Sequence, residues 1–98
     1  MYQVFRIPTN LLGPSDQPVY TISEGRFFPT VNHPRGWSDR SDYELRNDGK
    51  IYRSADHPQG AGLQPDYEIG PDCLIYRTGH HPEGRSAAPQ YELREMTG

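Results

Sequence analysis

The chain has 98 residues, 33% of them hydrophobic and 23% charged, with a net charge of −3 at neutral pH. That length fits one domain over residues 1–98 with a thin core, and the mild acidic balance lacks the basic stripe that nucleic acid binding requires. No apolar run is long enough to span a bilayer or act as a secretory leader, and Cys73 stands alone, so a cytoplasmic protein without disulfides or membrane contact is expected.

A 19-residue block occurs four times without gaps, at Val4–Ile22, Phe27–Leu45, Ile51–Ile69 and Ile75–Leu93. Counting from the first residue of each block, position 10 is always Gly (Gly13, Gly36, Gly60, Gly84) and position 17 always Tyr (Tyr20, Tyr43, Tyr67, Tyr91). Position 7 is His33, His57 or His81 in three blocks and Asn10 in the first. Position 3 is Arg6, Pro29, Arg53 and Arg77. Self-similarity at such a period marks repeated supersecondary units that cannot bury their apolar faces alone.

In chain order, Tyr2–Arg6 reads as a strand and residues 7–19 as a loop. Tyr20–Ile22 and Phe27–Pro29 then flank Ser23-Glu24-Gly25-Arg26, which suits a two-residue hairpin turn. The next loop leads to Tyr43–Leu45 and Ile51–Arg53 around Arg46-Asn47-Asp48-Gly49-Lys50, where Gly49 fits a positive φ. A third loop leads to Tyr67–Ile69 and Ile75–Arg77 around Gly70-Pro71-Asp72-Cys73-Leu74. Cys73 there takes the place of Gly49, a poorer choice for a left-handed residue. Counting outward from the turns pairs Leu45 with Ile51, Glu44 with Tyr52, Tyr43 with Arg53, Ile22 with Phe27, Thr21 with Phe28 and Tyr20 with Pro29. The register survives the change in turn length. The Tyr-Leu-Ile face is assigned to the core, with the position-3 Arg at its edge, stem packed and head in water.

Near the C-terminus Tyr91-Glu92-Leu93-Arg94 matches Val4-Phe5-Arg6 as the other half of a hairpin. Leu93 then faces Val4, Glu92 faces Phe5 and Tyr91 faces Arg6. The predicted fold is all-β: four tandem hairpin repeats of about 24 residues, closed into a pseudo-fourfold ring, a mini-propeller or small barrel, with the terminal strands as clasp. The rival, an open solenoid, needs polar caps that the sequence does not show.

Each loop reads roughly His-Pro-x-Gly with a second Pro on the return, so the His is extended and the Gly allows a sharp reversal. Three equivalent imidazoles, His33, His57 and His81, invite comparison with a metal site, but Asn10 completes the set poorly and no close-set ligand motif is present. The simpler reading is that each His shapes its own loop, so no metal or other cofactor is expected. The position-18 Glu residues and position-3 Arg residues read as cross-strand charge pairs rather than a catalytic pair. Ser15, Ser38 and Ser86 read as backbone partners in the loops. Tyr52, Tyr76, Phe5 and Phe28 share the outer face, either as stacking surfaces or as covered aromatics. Trp37 occurs in one loop only and suits a partner anchor. No nucleophile motif or nucleotide fingerprint appears, so no catalytic residue is assigned.

The ring is similar in architecture to small repeat lectins and mini-propellers, a likeness at the level of fold. The function expected is a non-enzymatic binding module with repeated, lectin-like loop sites for a glycan, served by His33, His57, His81, Arg53, Arg77 and Trp37. The alternative is a structural or adaptor protein that self-associates as a homo-oligomer or docks on a protein partner. A third reading, a His-based metal site or small enzyme, requires Trp37, Cys73 and His80 to cluster.

Overall fold

Short runs of alternating aromatic or β-branched and polar residues form strands when a neighbour supplies the missing hydrogen bonds. The computed structural model describes residues 2–10 and 12–95. Its strands are β1 (Tyr2–Arg6), β2 (Tyr20–Ser23), β3 (Arg26–Pro29), β4 (Tyr43–Leu45), β5 (Lys50–Arg53), β6 (Tyr67–Ile69), β7 (Leu74–Arg77) and β8 (Tyr91–Glu95). All pairs are antiparallel, and the sheet closes on itself in chain order, β8 returning to β1. Of the two closed forms expected, the molecule is the small barrel. Among the described residues no helix is long and apolar enough to cross a membrane.

Every register deduced by counting from the turns is observed. Leu45 faces Ile51 and Tyr43 faces Arg53 in one hairpin, and Ile22 faces Phe27 in another. At the clasp Leu93 faces Val4, Glu92 faces Phe5 and Tyr91 faces Arg6. Across the long loops the register is offset, since Ile51 faces Tyr67 and Ile75 faces Tyr91. Such an offset, repeated around the sheet, is the stagger that lets a barrel close.

The alternation puts three residues of each block inside. Position 1 contributes Val4, Phe27, Ile51 and Ile75, all buried. Position 19 contributes Ile22, Leu45, Ile69 and Leu93, and position 17 the four tyrosines, packed against them. Eight strands enclose about the width that side chains can fill. The space remaining among these residues, about 10 Å³, holds at most a single water. The interior is a core and not a ligand channel.

On the outer face Phe5, Tyr52 and Tyr76 pack against neighbouring side chains and turns, while Tyr52, Tyr76 and Phe28 stay partly exposed. The Arg94 guanidinium lies 4.2 Å from the Phe5 ring centre, and the Arg46 guanidinium 3.9 Å from that of Tyr52. Tyr76 packs against Gly70, where any Cβ would meet its ring at 3.2 Å. Tyr52 and Tyr76 also donate to Asp48 and Asp72 of the adjoining turns.

The hairpin turns all lie at one end of the barrel and the long loops at the other. Glu24 and Gly25 both have positive φ (51° and 76°), the type I′ geometry whose twist matches the strands. Gly49 has φ 76° and Cys73, at the corresponding place, φ 63°. A side chain in that region costs about 1 kcal/mol or more. We therefore expect Cys73→Gly to stabilise the protein by about 1 kcal/mol, read as a higher urea midpoint at unchanged slope. An unchanged or lower midpoint contradicts the strain at this turn.

Candidate functional site

The loop end is organised by one hydrogen-bond pattern set by block position. The Nδ1 atoms of His33, His57 and His81 accept the backbone N–H two residues on, from Arg35 (3.1 Å), Gln59 (3.0 Å) and Glu83 (3.0 Å). Each His backbone carbonyl also accepts the N–H of its block's Gly, 2.7–2.8 Å away. With Nδ1 accepting, the neutral imidazole carries its proton on Nε2. That proton reaches the tyrosine of the preceding block: His33 Nε2 is 3.0 Å from the Tyr20 hydroxyl, and His81 Nε2 is 3.1 Å from that of Tyr67. His57 stands edge-on to Tyr43, ring centres 5.2 Å apart. Among the described residues its Nε2 has no hydrogen-bond partner.

Asn10 fills the fourth place by imitation. Its Oδ1 accepts from the Leu12 backbone N–H at 2.9 Å, as the imidazole Nδ1 does, and its Nδ2 donates to the Gln90 carbonyl at 3.1 Å. It lines one hollow with Tyr91, the tyrosine of the preceding block around the ring. Hydroxyls tie each loop to the block before it. Thr30 donates to the Pro18 carbonyl at 2.6 Å, Ser54 to that of Ser41 and Thr78 to that of Pro65. In the first block position 4 is Ile7, and Thr9, two residues on, donates to the equivalent Pro89 carbonyl at the clasp. The loop serines act on backbone as expected: Ser15 and Ser86 accept from the Arg6 and Arg77 amides, and Ser38 from that of Arg40.

The three His-Pro loops converge. His33, His57 and His81 line one depression of about 440 Å³ with Arg35, Gln59, Asp66, Glu83 and the tyrosines Tyr43 and Tyr67. Smaller hollows continue it around the mouth, one of about 270 Å³ beside Asn10, Arg77 and Tyr91, another of about 140 Å³ beside Arg6, Leu12 and His33. The tyrosine rings meet edge to face around the floor, Tyr20 to Tyr43, Tyr43 to Tyr67 and Tyr67 to Tyr91. Burial, reinforced by neighbouring tyrosines, drives the Tyr20, Tyr43 and Tyr67 hydroxyls far above the phenol range, and burial also raises Tyr91. They are permanent neutral hydrogen-bonding groups and not bases.

The position-3 arginines depart from expectation. The Arg53 side chain is 25% exposed and Arg77 18% exposed, with both Nε atoms buried. Their heads turn into the loop end instead of reaching water, because position 16 lies buried beside them. Arg53 Nε lies 3.5 Å from the buried Asp66 carboxylate, and its Nη1 donates to Gln59 at 3.2 Å. In the second block position 3 is Pro29, and Arg35 supplies the cation for the buried Asp42 instead. Nor do the position-18 glutamates form close cross-strand pairs: Glu44 and Glu92 bond Arg46 and Arg94 two residues along the chain, at 2.7 Å and 3.1 Å. A side chain two residues along the chain reaches the carboxylate more easily than Arg26, which faces Glu44 across the strands.

Trp37 belongs to the loop end and is 65% exposed, but it does not line the central depression. Cys73 lies in a hairpin turn, at the barrel end opposite the loop residue His80. The cluster of Trp37, Cys73 and His80 required by the third reading does not form. Among the described residues no group of three or more His, Cys, Asp or Glu is placed to hold a metal ion. Sequence reasoning missed Asp42 and Asp66, the buried acids at position 16. Their signal was position 16 itself, which varies as Val19, Asp42, Asp66 and Gln90 beside the invariant Tyr. The chain is a small closed β-barrel with one polar mouth. Comparison with protein-family models, curated proteins and solved structures found no match to it.

Burial lowers the affinity of His33, His57 and His81 for a proton; Arg35 adds to this at His33, while Asp42 and Asp66 partly oppose it at His57 and His81. A proton on Nδ1 would also end its bond to the loop amide. The folded state therefore takes protons less readily than the unfolded chain. Stability from the neutral imidazoles is complete above about pH 6.5 and falls as pH drops through the lower folded-state values. Replacing all three with Asn, as the chain itself does at Asn10, is expected to flatten stability between pH 7.5 and 5.5. His57→Ala is expected to cost about 1 kcal/mol at pH 7.5, and His57→Asn less. Denaturant titrations across pH check both; equal pH dependence in the triple variant contradicts the role given to these rings.

Proposed function

We propose that the protein is a non-enzymatic binding module whose site is the loop end of the barrel, and that its ligand is a hydroxyl-rich molecule of carbohydrate type. The observation that carries this reading is the convergence of the three His-Pro loops on one depression of about 440 Å³. Its rim mixes donors and acceptors, Arg35, Gln59, Asp66 and Glu83, with proline rings, on a floor of neutral tyrosines. A concave site combining apolar surface with a few directed polar groups suits a ligand with hydroxyls around a compact ring. Convergence favours one shared site over four weak peripheral ones, so multivalency drops out of the reading. Of the imidazoles, His57 Nε2 is the donor left for a ligand, since His33 and His81 are engaged by tyrosines.

A second reading rests on a separate observation. Leu12, Val31, Trp37 and Leu63 are all largely exposed, and all lie in loops at this same end. Exposed large apolar residues gathered on one side of a molecule favour a protein partner.

A glycan array followed by calorimetry separates the readings. Carbohydrate binding is expected to weaken about tenfold in His57→Ala, the loss of one directed donor, and to persist in Trp37→Ala. Binding unaffected by His57→Ala removes the depression as the site. Absence of glycan binding, with a pulled-down protein partner lost in Trp37→Ala, favours the docking reading.

A further inference from the structure

The four block junctions at the mouth are not equivalent in charge. Arg53 has the Asp66 carboxylate at 3.5 Å, Arg35 bonds Asp42, and Arg6 donates from Nε to the Gly13 carbonyl at 3.1 Å. Arg77 has none of these. Where the third block has Asp66, the fourth has the neutral Gln90, and the Gln90 amide is turned to the Ala88 carbonyl at 3.2 Å. Among the described residues, the nearest carboxylate to Arg77 is Glu83, at 3.9 Å, on a side chain 63% exposed at the rim. The Nε atoms of Arg53 and Arg77 are both buried without a hydrogen-bond partner, but only that of Arg53 has a buried carboxylate beside it, Asp66 at 3.5 Å. A mostly buried guanidinium whose one counter-ion is a solvent-exposed carboxylate at 3.9 Å is poorly compensated, and a further negative charge beside it is favourable. It does not lie in a closed core: it lines a hollow of about 270 Å³ open to the mouth, shared with Asn10, Tyr91, His81 and Glu83.

We propose that this hollow is an anion subsite in which Arg77 receives a carboxylate of the ligand. One guanidinium balances one carboxylate, and its planar fork matches that group with two parallel hydrogen bonds. The hollow shares Tyr67, His81 and Glu83 with the central depression, so a ligand seated there extends a carboxylate to Arg77. The subsite rests on the carbohydrate reading only in the identity of the ligand, which becomes an acidic sugar, a uronate, rather than a neutral one. The absence of a carboxylate at position 16 and the place of Arg77 on the wall of an open hollow stand independently of it.

The test is a titration of the intact chain at pH 7.5 with glucuronate, glucose and acetate, followed by calorimetry and by the Arg77 Nε–H resonance. Glucuronate is expected to bind at least about tenfold tighter than glucose, the worth of one charge-assisted pair, and to shift that resonance. Arg77→Gln is expected to erase the difference. Because that variant removes a packed side chain, Gln90→Asp provides a second route. It restores the carboxylate that Asp66 offers Arg53, and it is expected to abolish the preference while keeping or raising the melting temperature. Glu83→Gln, which removes the competing rim charge, is expected to tighten glucuronate binding. Equal binding of glucose and glucuronate overturns the subsite and leaves the carbohydrate reading standing. Arg77-dependent binding of acetate with no sugar binding keeps the subsite and removes the carbohydrate. No binding of any of the three, or a preference that survives both Arg77→Gln and Gln90→Asp, overturns the subsite.

Discussion

The molecule depends on the pairing of β1 with β8. That ladder has five residue pairs, from Tyr2 with Glu95 to Arg6 with Tyr91, the longest in the barrel; the crossings between β3 and β4, β5 and β6, and β7 and β8 have two each. A hairpin of three- and four-residue strands is marginal alone, and without the clasp the three turn-linked hairpins flanked by β1 and β8 leave two unpaired edges. Closure removes both edges and turns the inward residues of all four blocks toward one axis. Only then do Val4, Ile51 and Ile75 become almost wholly inaccessible. The cost is the entropy of joining the two ends of the described chain, which grows only slowly with the length of the loop closed.

The same closure builds the mouth. A tyrosine of one block meets the His of the next, so the pattern is complete only when the fourth block meets the first. There Asn10 donates to the Gln90 carbonyl beside Tyr91, while Thr9 donates to the Pro89 carbonyl. The chemistry that recurs from block to block at the loop end is thus largely spent on architecture: imidazole Nδ1 on loop amides, hydroxyls on carbonyls of the preceding block. What is left for a ligand comes from the places where blocks differ. His57 lacks the tyrosine bond of its counterparts, Pro29 shifts a cation to Arg35, and Gln90 leaves Arg77 without its carboxylate.

The fold was legible in the sequence because strand register is a counting problem once the turns are placed. Glu24-Gly25 and Asp48-Gly49 fixed the turns, and alternation then dictated which residues face inward. The site was only partly legible. The local role of each His followed from its place before Pro, but convergence on one depression depends on barrel diameter and tilt, which no local pattern encodes. Asp42 and Asp66 were hidden because an acid in a loop normally reads as solvated; burial beside Arg35 and Arg53 comes from contacts between distant parts of the block. The position-3 arginines were misplaced for the same reason, since a long charged side chain at a sheet edge usually reaches water.

Native-state amide hydrogen exchange on β1 and β8 tests the closed ring most directly. If the ring is the cooperative unit, the slowest amides of β1 and β8 open with the same free energy as those of β4 and β5, through global unfolding. If β1 and β8 exchange through an opening of much lower free energy while β4 and β5 stay protected, the clasp is peripheral, and neither core nor mouth depends on closure.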